Sequence, residues 1–260
     1  MKKVTLMVPA AMILATVAFA QGGPSPRGAF GAGGPAGRFG PAHGIHGGAV
    51  VTGAPYSATF TEQSVRTLAS GTTITHSITG TIARDISGRT YLQQTTTGGP
   101  LGQNGPKTVT FITDPVAGFS YTINTETNVA TQRPFKAPPA GSTPPAPGSQ
   151  SGHTNPNVTV SKVTNADGTV TTTITRKIPA NTAGNSADLV STSTVQFNPT
   201  LKIVVSSSRN DPEFGSSTYT VSSLVPGEPN PNLFSVSGYT IQAAPSRGSR
   251  GPGTGTWTHQ

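Results

Sequence analysis

From Tyr56 onward the chain alternates. Tyr56, Ala58 and Phe60 are apolar and Ser57, Thr59 and Thr61 between them are polar, the period-two pattern of a strand with one buried face. A Ser70-Gly71 turn leads to the clearest alternation, Thr72 to Ala83. There Ile74, His76, Ile78, Gly80 and Ile82 share one face, and Thr73, Thr75, Ser77, Thr79 and Thr81 share the other. Gly80 in mid-strand predicts a bulge or bend, a feature that curls a sheet. Asp85 and Gly88 suit a hairpin turn, with Gly88 at the position requiring positive φ. Tyr91 to Thr96 is the return strand. After a loop from Gly98 to Pro106, Lys107 to Thr113 carries Val109 and Phe111 on one face. The turn 114–118 leads to Phe119, Tyr121 and Ile123 in alternation, residues 124–128 turn again, and Val129 to Arg133 is a short strand.

The same pattern resumes further on. Val158 to Val163 and Val170 to Ile178 flank Asn165-Ala166-Asp167-Gly168, a strong hairpin signal. Leu189 to Phe197 and Leu201 to Ser208 follow, and the consecutive Ile203, Val204 and Val205 predict a central strand covered on both faces. Asp114-Pro115-x-x-Gly118 before Tyr121 is matched by Asp211-Pro212-x-x-Gly215 before Tyr219, by shared turn chemistry or duplication. The segment Val195 to Ile241 closes the unit, with Leu233, Phe234 and Tyr239 expected to plug the end of the core. The fold class is therefore all-β: a single curved antiparallel sheet, half-barrel-like, or a sandwich.

Composition changes outside this pattern. Lys2 and Lys3 precede an apolar run closed by Ala18-Phe19-Ala20, the features of an export signal over residues 1–20 with cleavage before Gln21. Residues 21–52 are rich in Gly, Pro and Ala with few large apolar side chains, too little burial to offset the entropy of ordering them, so a disordered tether is expected. The β-domain spans 53–243. The Pro-rich stretch 134–157 reads as a loop within it, two domains being the alternative, and the tail 244–260, with Trp257, is expected to be disordered.

Cysteine is absent, so disulfides and thiolate chemistry are excluded. No later apolar stretch is long enough to span a bilayer as a helix. The formal net charge of +8 falls by two with loss of Lys2 and Lys3, and the remaining charges are dispersed, which fits solubility better than a dedicated anionic partner. Arg27, Phe30, Arg38 and Phe39 are too few to signal a nucleic-acid partner, and none is expected. His43 and His46 sit in the tether without a metal-site context, and no metal or other cofactor is expected.

At Gly227-Glu228-Pro229-x-Pro231-x-Leu233-Phe234 followed by Gly238-Tyr239-Thr240-Ile241, the chain resembles a group of uncharacterised bacterial secreted proteins. It shares with them Leu201-Lys202-Ile203-Val204-Val205-Ser206, the turn Arg209 to Gly215 and the turn Asp114 to Gly118. More distantly, consecutive strands ending in Leu-Phe-x-x-x-Gly-Tyr resemble the half-barrels of periplasmic lipoprotein carriers and sigma-factor regulators. That likeness implies an envelope protein of the periplasm or outer surface. The carriers hold acyl chains on an apolar concave face, whereas the strand faces here are rich in Thr and Ser.

Chemistry is sparse. Asp85, Asp114, Asp167, Asp211 and Glu213 sit in predicted turns, whose geometry accounts for them, and no nucleophile elbow, zinc-protease helix or phosphate loop is present. A serine nucleophile would need His76 or His153 as its base. The reading that follows is non-enzymatic: binding or scaffolding of an envelope protein or an amphiphile by a curved sheet face lined by Phe60, Ile74, His76, Ile78, Phe111 and Tyr121. The alternatives are a structural or adhesive surface module on flexible tethers and a hydrolase using His76.

Overall fold

The computed structural model describes residues 50–68, 70–98, 102–135, 156–180 and 187–244, without the side chains of 102–104. The expected export signal, the expected tether to residue 49, most of the Pro-rich stretch, the tail from 245, His43, His46, His153 and Trp257 lie outside them.

The described residues form one twelve-stranded sheet that does not close into a barrel. Its strands are β1 (Tyr56–Thr67), β2 (Thr73–Arg84), β3 (Thr90–Gly98), β4 (Gly102–Asp114), β5 (Phe119–Asn124), β6 (Val129–Pro134), β7 (Val158–Thr164), β8 (Val170–Ile178), β9 (Leu189–Asn198), β10 (Ile203–Asp211), β11 (Gly215–Pro226) and β12 (Thr240–Ala243). The spatial order is β12-β6-β5-β4-β3-β2-β1-β11-β10-β9-β8-β7. Two meanders thus meet where β1 pairs with β11, so strands before and after the Pro-rich stretch share one sheet. Every pairing is antiparallel except β12 on β6.

Turn chemistry sets the hairpins. Asp114 Oδ1 accepts from the amides of Val116 and Ala117, and Asp211 Oδ1 accepts from those of Glu213 and Phe214. Asn124 and Asn198 do the same for Glu126 and Thr127, and for Thr200 and Leu201. In all four turns the fifth residue takes positive φ: Gly118, Gly215, Asn128 and Lys202. An Asx side chain holds the first bend, and the left-handed fifth residue returns the chain to the sheet.

Three details differ from the sequence expectation. Gly80 is no bulge, because β2 keeps register with both neighbours across it. It is a close approach: Phe60 lies directly across the pair, and a Cβ at Gly80 would stand 2.8 Å from the Phe60 ring and 2.0 Å from the Gln93 carbonyl oxygen. β4 begins at Gly102, inside the expected loop, because that residue pairs back onto Gly98 of β3, while β5 reaches only to Thr110. The earlier part of β4 therefore borders β3 alone, the edge setting in which Pro106 is tolerated. The run Ile203-Val204-Val205 reflects a bulge between Val204 and Ser206, which turns successive side chains onto one apolar cluster.

That cluster occupies one face, here called inner. Tyr56, Ala58, Phe60, Ile82, Leu92, Leu201, Ile203 and Tyr219 are its buried members. In a flat sheet β2 and β10 would stand about 14 Å apart, three strand spacings. Yet Arg84 Nη2 donates to the Leu201 carbonyl in the turn before β10. The sheet therefore rolls toward its inner face, and the bulge opposite Ser57 and Thr59, with Ser223 at positive φ, adds to the bend.

A second cluster lies on the outer face of β2 to β6: Ala83, Tyr91, Ile112, Ile123, Ala130 and Phe234. Its cover is a 3₁₀ turn, Pro231–Phe234, started by Asn230, whose Oδ1 accepts from the Asn232 amide. Proline at its first turn is favourable, since that N–H would have no partner there. The chain then runs to β12. Asn128 Nδ2 donates to the Gly238 carbonyl and the Thr240 amide donates to the Asn128 carbonyl, which sets the parallel register on β6.

Candidate functional site

The inner face gathers five of the six residues expected to form a binding surface, and three of them are core. Phe60, Ile78 and Phe111 belong to or pack on the inner cluster, and Phe60 is only 2% exposed. His76 shares this face, half-buried, across from Ser64 on β1 and Gly98 on β3. Ile74 also shares it but stands exposed beyond the cluster. Tyr121 does not share it. It pairs with Ile112 on the outer face, packs against the second cluster, and accepts a hydrogen bond from Gln132 Nε2. The expected open apolar surface is thus a filled core at one end and a polar margin at the other.

Glu62 marks the transition between them, and the sequence reading passed over it. It continues the apolar phase Tyr56-Ala58-Phe60 and faces Ile78 on β2 and Tyr219 on β11. Burial pushes its carboxyl above the usual range. Burial also raises the Tyr219 phenol, with smaller contributions from Tyr56 and Glu62. A carboxyl whose folded pKa lies above its unfolded value of about 4.3 carries no penalty when both states are protonated and the full penalty once both are ionised. Glu62→Gln is therefore expected to raise the melting temperature at pH 7 and leave it unchanged at pH 3. An equal gain at both pH values would mean that packing, not charge, limits this site.

Further along the inner face, Asp211 accepts from Arg209 Nη2 at 2.6 Å and from Ser191 Oγ at 3.0 Å. Burial works against its charge, but these bonds and the Glu213 and Phe214 amides outweigh it and hold the carboxyl below its ordinary range. The group is bound by its own turn, by Arg209 of β10 and by Ser191 of β9. No hydrogen bond joins His76 to Ser64 or to Glu62 among the described residues, so the nucleophile, base and orienting acid of a hydrolase are not linked there.

A cavity of about 280 Å³ opens instead on the outer face, beneath the closing segment. Its floor is Tyr91 and Gln93 of β3, Thr110 and Ile112 of β4 and Ile123 of β5. Alternation places all five on one side: Gln93 pairs with Thr110, Tyr91 with Ile112, and Thr110 with Ile123. Leu233 and Tyr239 form half-buried walls, and exposed Asn232, Ser235 and Ser237 form the mouth. Burial pushes the Tyr91 phenol up, partly offset by its hydrogen bond with Thr110, and nearby Tyr239 adds to the rise. Ser235 Oγ donates to Ser237 Oγ at 2.9 Å and accepts from the Ser237 amide at 3.1 Å, shaping the rim.

Leu233 and Tyr239 were legible as parts of a closing motif, and Phe234 as its anchor. The rest of the cavity was not. Gln93 and Thr110 read as ordinary strand residues until the 3₁₀ turn is laid over them, and only their phase with Tyr91 and Ile112 could have flagged them.

No family model and no curated protein matches the chain. Among solved structures, it is similar to a β-barrel-like protein of domain of unknown function DUF1849 from Brucella abortus: 10% identity, 68% of this chain, 100% of that one, TM-score 0.20. It is also similar to an outer membrane lipoprotein-sorting protein domain from Vibrio parahaemolyticus: 11% identity, 70% and 90% coverage, TM-score 0.17. A DUF1329 family protein from Desulfovibrio piger is similar at 11% identity, 72% and 91% coverage and TM-score 0.19. One of the three, the Vibrio domain, carries a lipoprotein-sorting name, the class that the sequence distantly resembles. At these TM-scores the likeness carries no functional argument, and the chain's own residues must.

Proposed function

We propose that this chain is an exported, non-enzymatic envelope protein that binds a small ligand in the outer-face cavity, with the rolled sheet as its scaffold. The observation that carries this reading is the cavity itself: a buried floor of Tyr91, Thr110, Ile112 and Ile123 under a polar mouth contributed by a separate segment of chain. A concave site with apolar area and a few convergent polar groups is the usual form of a ligand pocket. The inner face supports an amphiphile less well, because Phe60, Ile82 and Leu92 are already closed from solvent. Export rests on the N-terminal pattern of residues 1–20.

Ser235 stands at the mouth, so Ser235→Trp is expected to fill the cavity from above while leaving the sheet in place. After incubation with an envelope extract, native mass spectrometry should find a bound small molecule on the wild-type chain and none on Ser235→Trp, with equal circular dichroism. No bound mass on the wild type, or equal bound mass on both, would overturn the assignment of the ligand to this cavity.

A further inference from the structure

Resting on that reading of the cavity, we propose that its ligand is a neutral sugar ring, one carrying neither carboxylate nor ammonium. Among the described residues, the lining contains no Asp, Glu, His, Lys or Arg. The nearby Arg89 is engaged elsewhere: its Nε donates to Asp85 Oδ2 at 2.5 Å, and its guanidinium lies 5.1 Å from the centre of the Phe234 ring. A charged ligand would lose hydration on entering and meet no counter-charge.

The polar groups that do converge are amides and hydroxyls. Gln93 gives one Nε2 proton to Thr110 Oγ1 at 3.4 Å and keeps a second donor and its acceptor, Asn232 presents donors and an acceptor, and Ser235 and Ser237 present a hydroxyl pair at the rim. Groups that both donate and accept match sugar hydroxyls, which do the same. The Asn232 side chain has no hydrogen-bond partner among the described residues, while its backbone amide is held by Asn230. The apolar share is two aromatic rings, Tyr91 and Tyr239, with Ile112, Ile123 and Leu233. That is enough to cover the C–H face of one ring.

The test uses the full chain, labelled at its Ile and Leu methyl groups and titrated by NMR. The probes are glucose, N-acetylglucosamine, glucuronate, glucosamine and the apolar dye N-phenyl-1-naphthylamine. The two neutral sugars are expected to shift the Ile112, Ile123 and Leu233 methyls along saturable curves, with the charged sugars at least about tenfold weaker. Asn232→Ala and Tyr239→Ala should each weaken binding about tenfold, the loss of one hydrogen bond or one stacking face, and Ser235→Trp should abolish it. Equal or tighter binding of the charged sugars would overturn the proposal. So would shifts caused by the dye alone, an outcome that would leave the cavity a ligand site of another class. Absence of any shift with every probe would remove the sugar assignment, while the cavity assignment stands or falls with the native mass spectrum of the extract-incubated chain.

Discussion

Truncating Arg84 to alanine is expected to destabilise the protein by about 3–5 kcal/mol, because its guanidinium is a structural tie inside the rolled sheet. Arg84 ends the inner face of β2 and is buried. Its Nε and Nη2 donate to the Ala54 carbonyl at 3.1 and 2.7 Å, Nη2 also donates to the Leu201 carbonyl, and the guanidinium lies 4.9 Å from the centre of the Tyr56 ring. Burial pushes its pKa down, and the Tyr56 phenol acts in the opposite sense. Alanine would leave two carbonyls without these donors, at about 1–3 kcal/mol each, and would remove a desolvated cation–π contact worth about 2 kcal/mol. The residue joins chain preceding β1, the end of β2 and the turn before β10, so its loss should also let the sheet unroll. Urea unfolding followed by circular dichroism measures the change. Arg84→Lys, which keeps the charge without the planar fork, should recover only part of it. A wild-type midpoint in Arg84→Ala would show that the roll is held by apolar packing alone.

Phe234→Ala should cost a similar amount, about 3–5 kcal/mol, for a different reason. Phe234 is the buried end of the 3₁₀ turn and fills the space above Ala83, Tyr91, Ile112, Ile123 and Ala130. Two of these are alanines, which leave room that only the covering ring occupies. Removing it should create a cavity that Leu233 and Val236 cannot collapse into without drawing β12 off β6. Hydrogen exchange at Thr240 to Ala243 is therefore expected to accelerate more than exchange in β1 or β11. A lowered midpoint with unchanged exchange in β12 would mean that the parallel edge strand is held by its own backbone pairing and the Asn128 contacts.

The parts of this fold that were legible in the sequence are those governed by local chemistry. Period-two alternation located β2, β5, β8 and β9 closely and the first half of β1, since a strand's two faces meet different solvents whatever its partners are. The Asx turns at Asp114 and Asp211 were legible as a matched pair because side chain and turn backbone bond within a few residues. The paired turns at Asn124 and Asn198 use the same bonds. They are harder to see, since Asn128 and Lys202 replace glycine at the left-handed position.

Choice of face across distant strands was not legible. Phe111 and Tyr121 both alternate correctly on their own strands, yet the register of β4 on β5 puts Thr122, and not Tyr121, beside Phe111. A slip of one residue would reverse that outcome, and the sequence of either strand alone is silent on it. Gly80 shows the same limit. Its missing side chain is explained by Phe60 on the neighbouring strand and the Gln93 backbone, partners far from it in the chain.

The sequence by itself determined that this is an all-β chain of short hairpins with one wetter and one drier side to each strand, because those properties follow from side chains a few residues apart. Only the tertiary structure decided that β1 joins β11 to make one sheet and that Arg84 reaches from β2 to the turn before β10. It alone also decided that Pro231 to Tyr239 fold back over β3, β4 and β5. The cavity exists for that last reason: its floor and its mouth lie over a hundred residues apart, and no local pattern encodes their meeting.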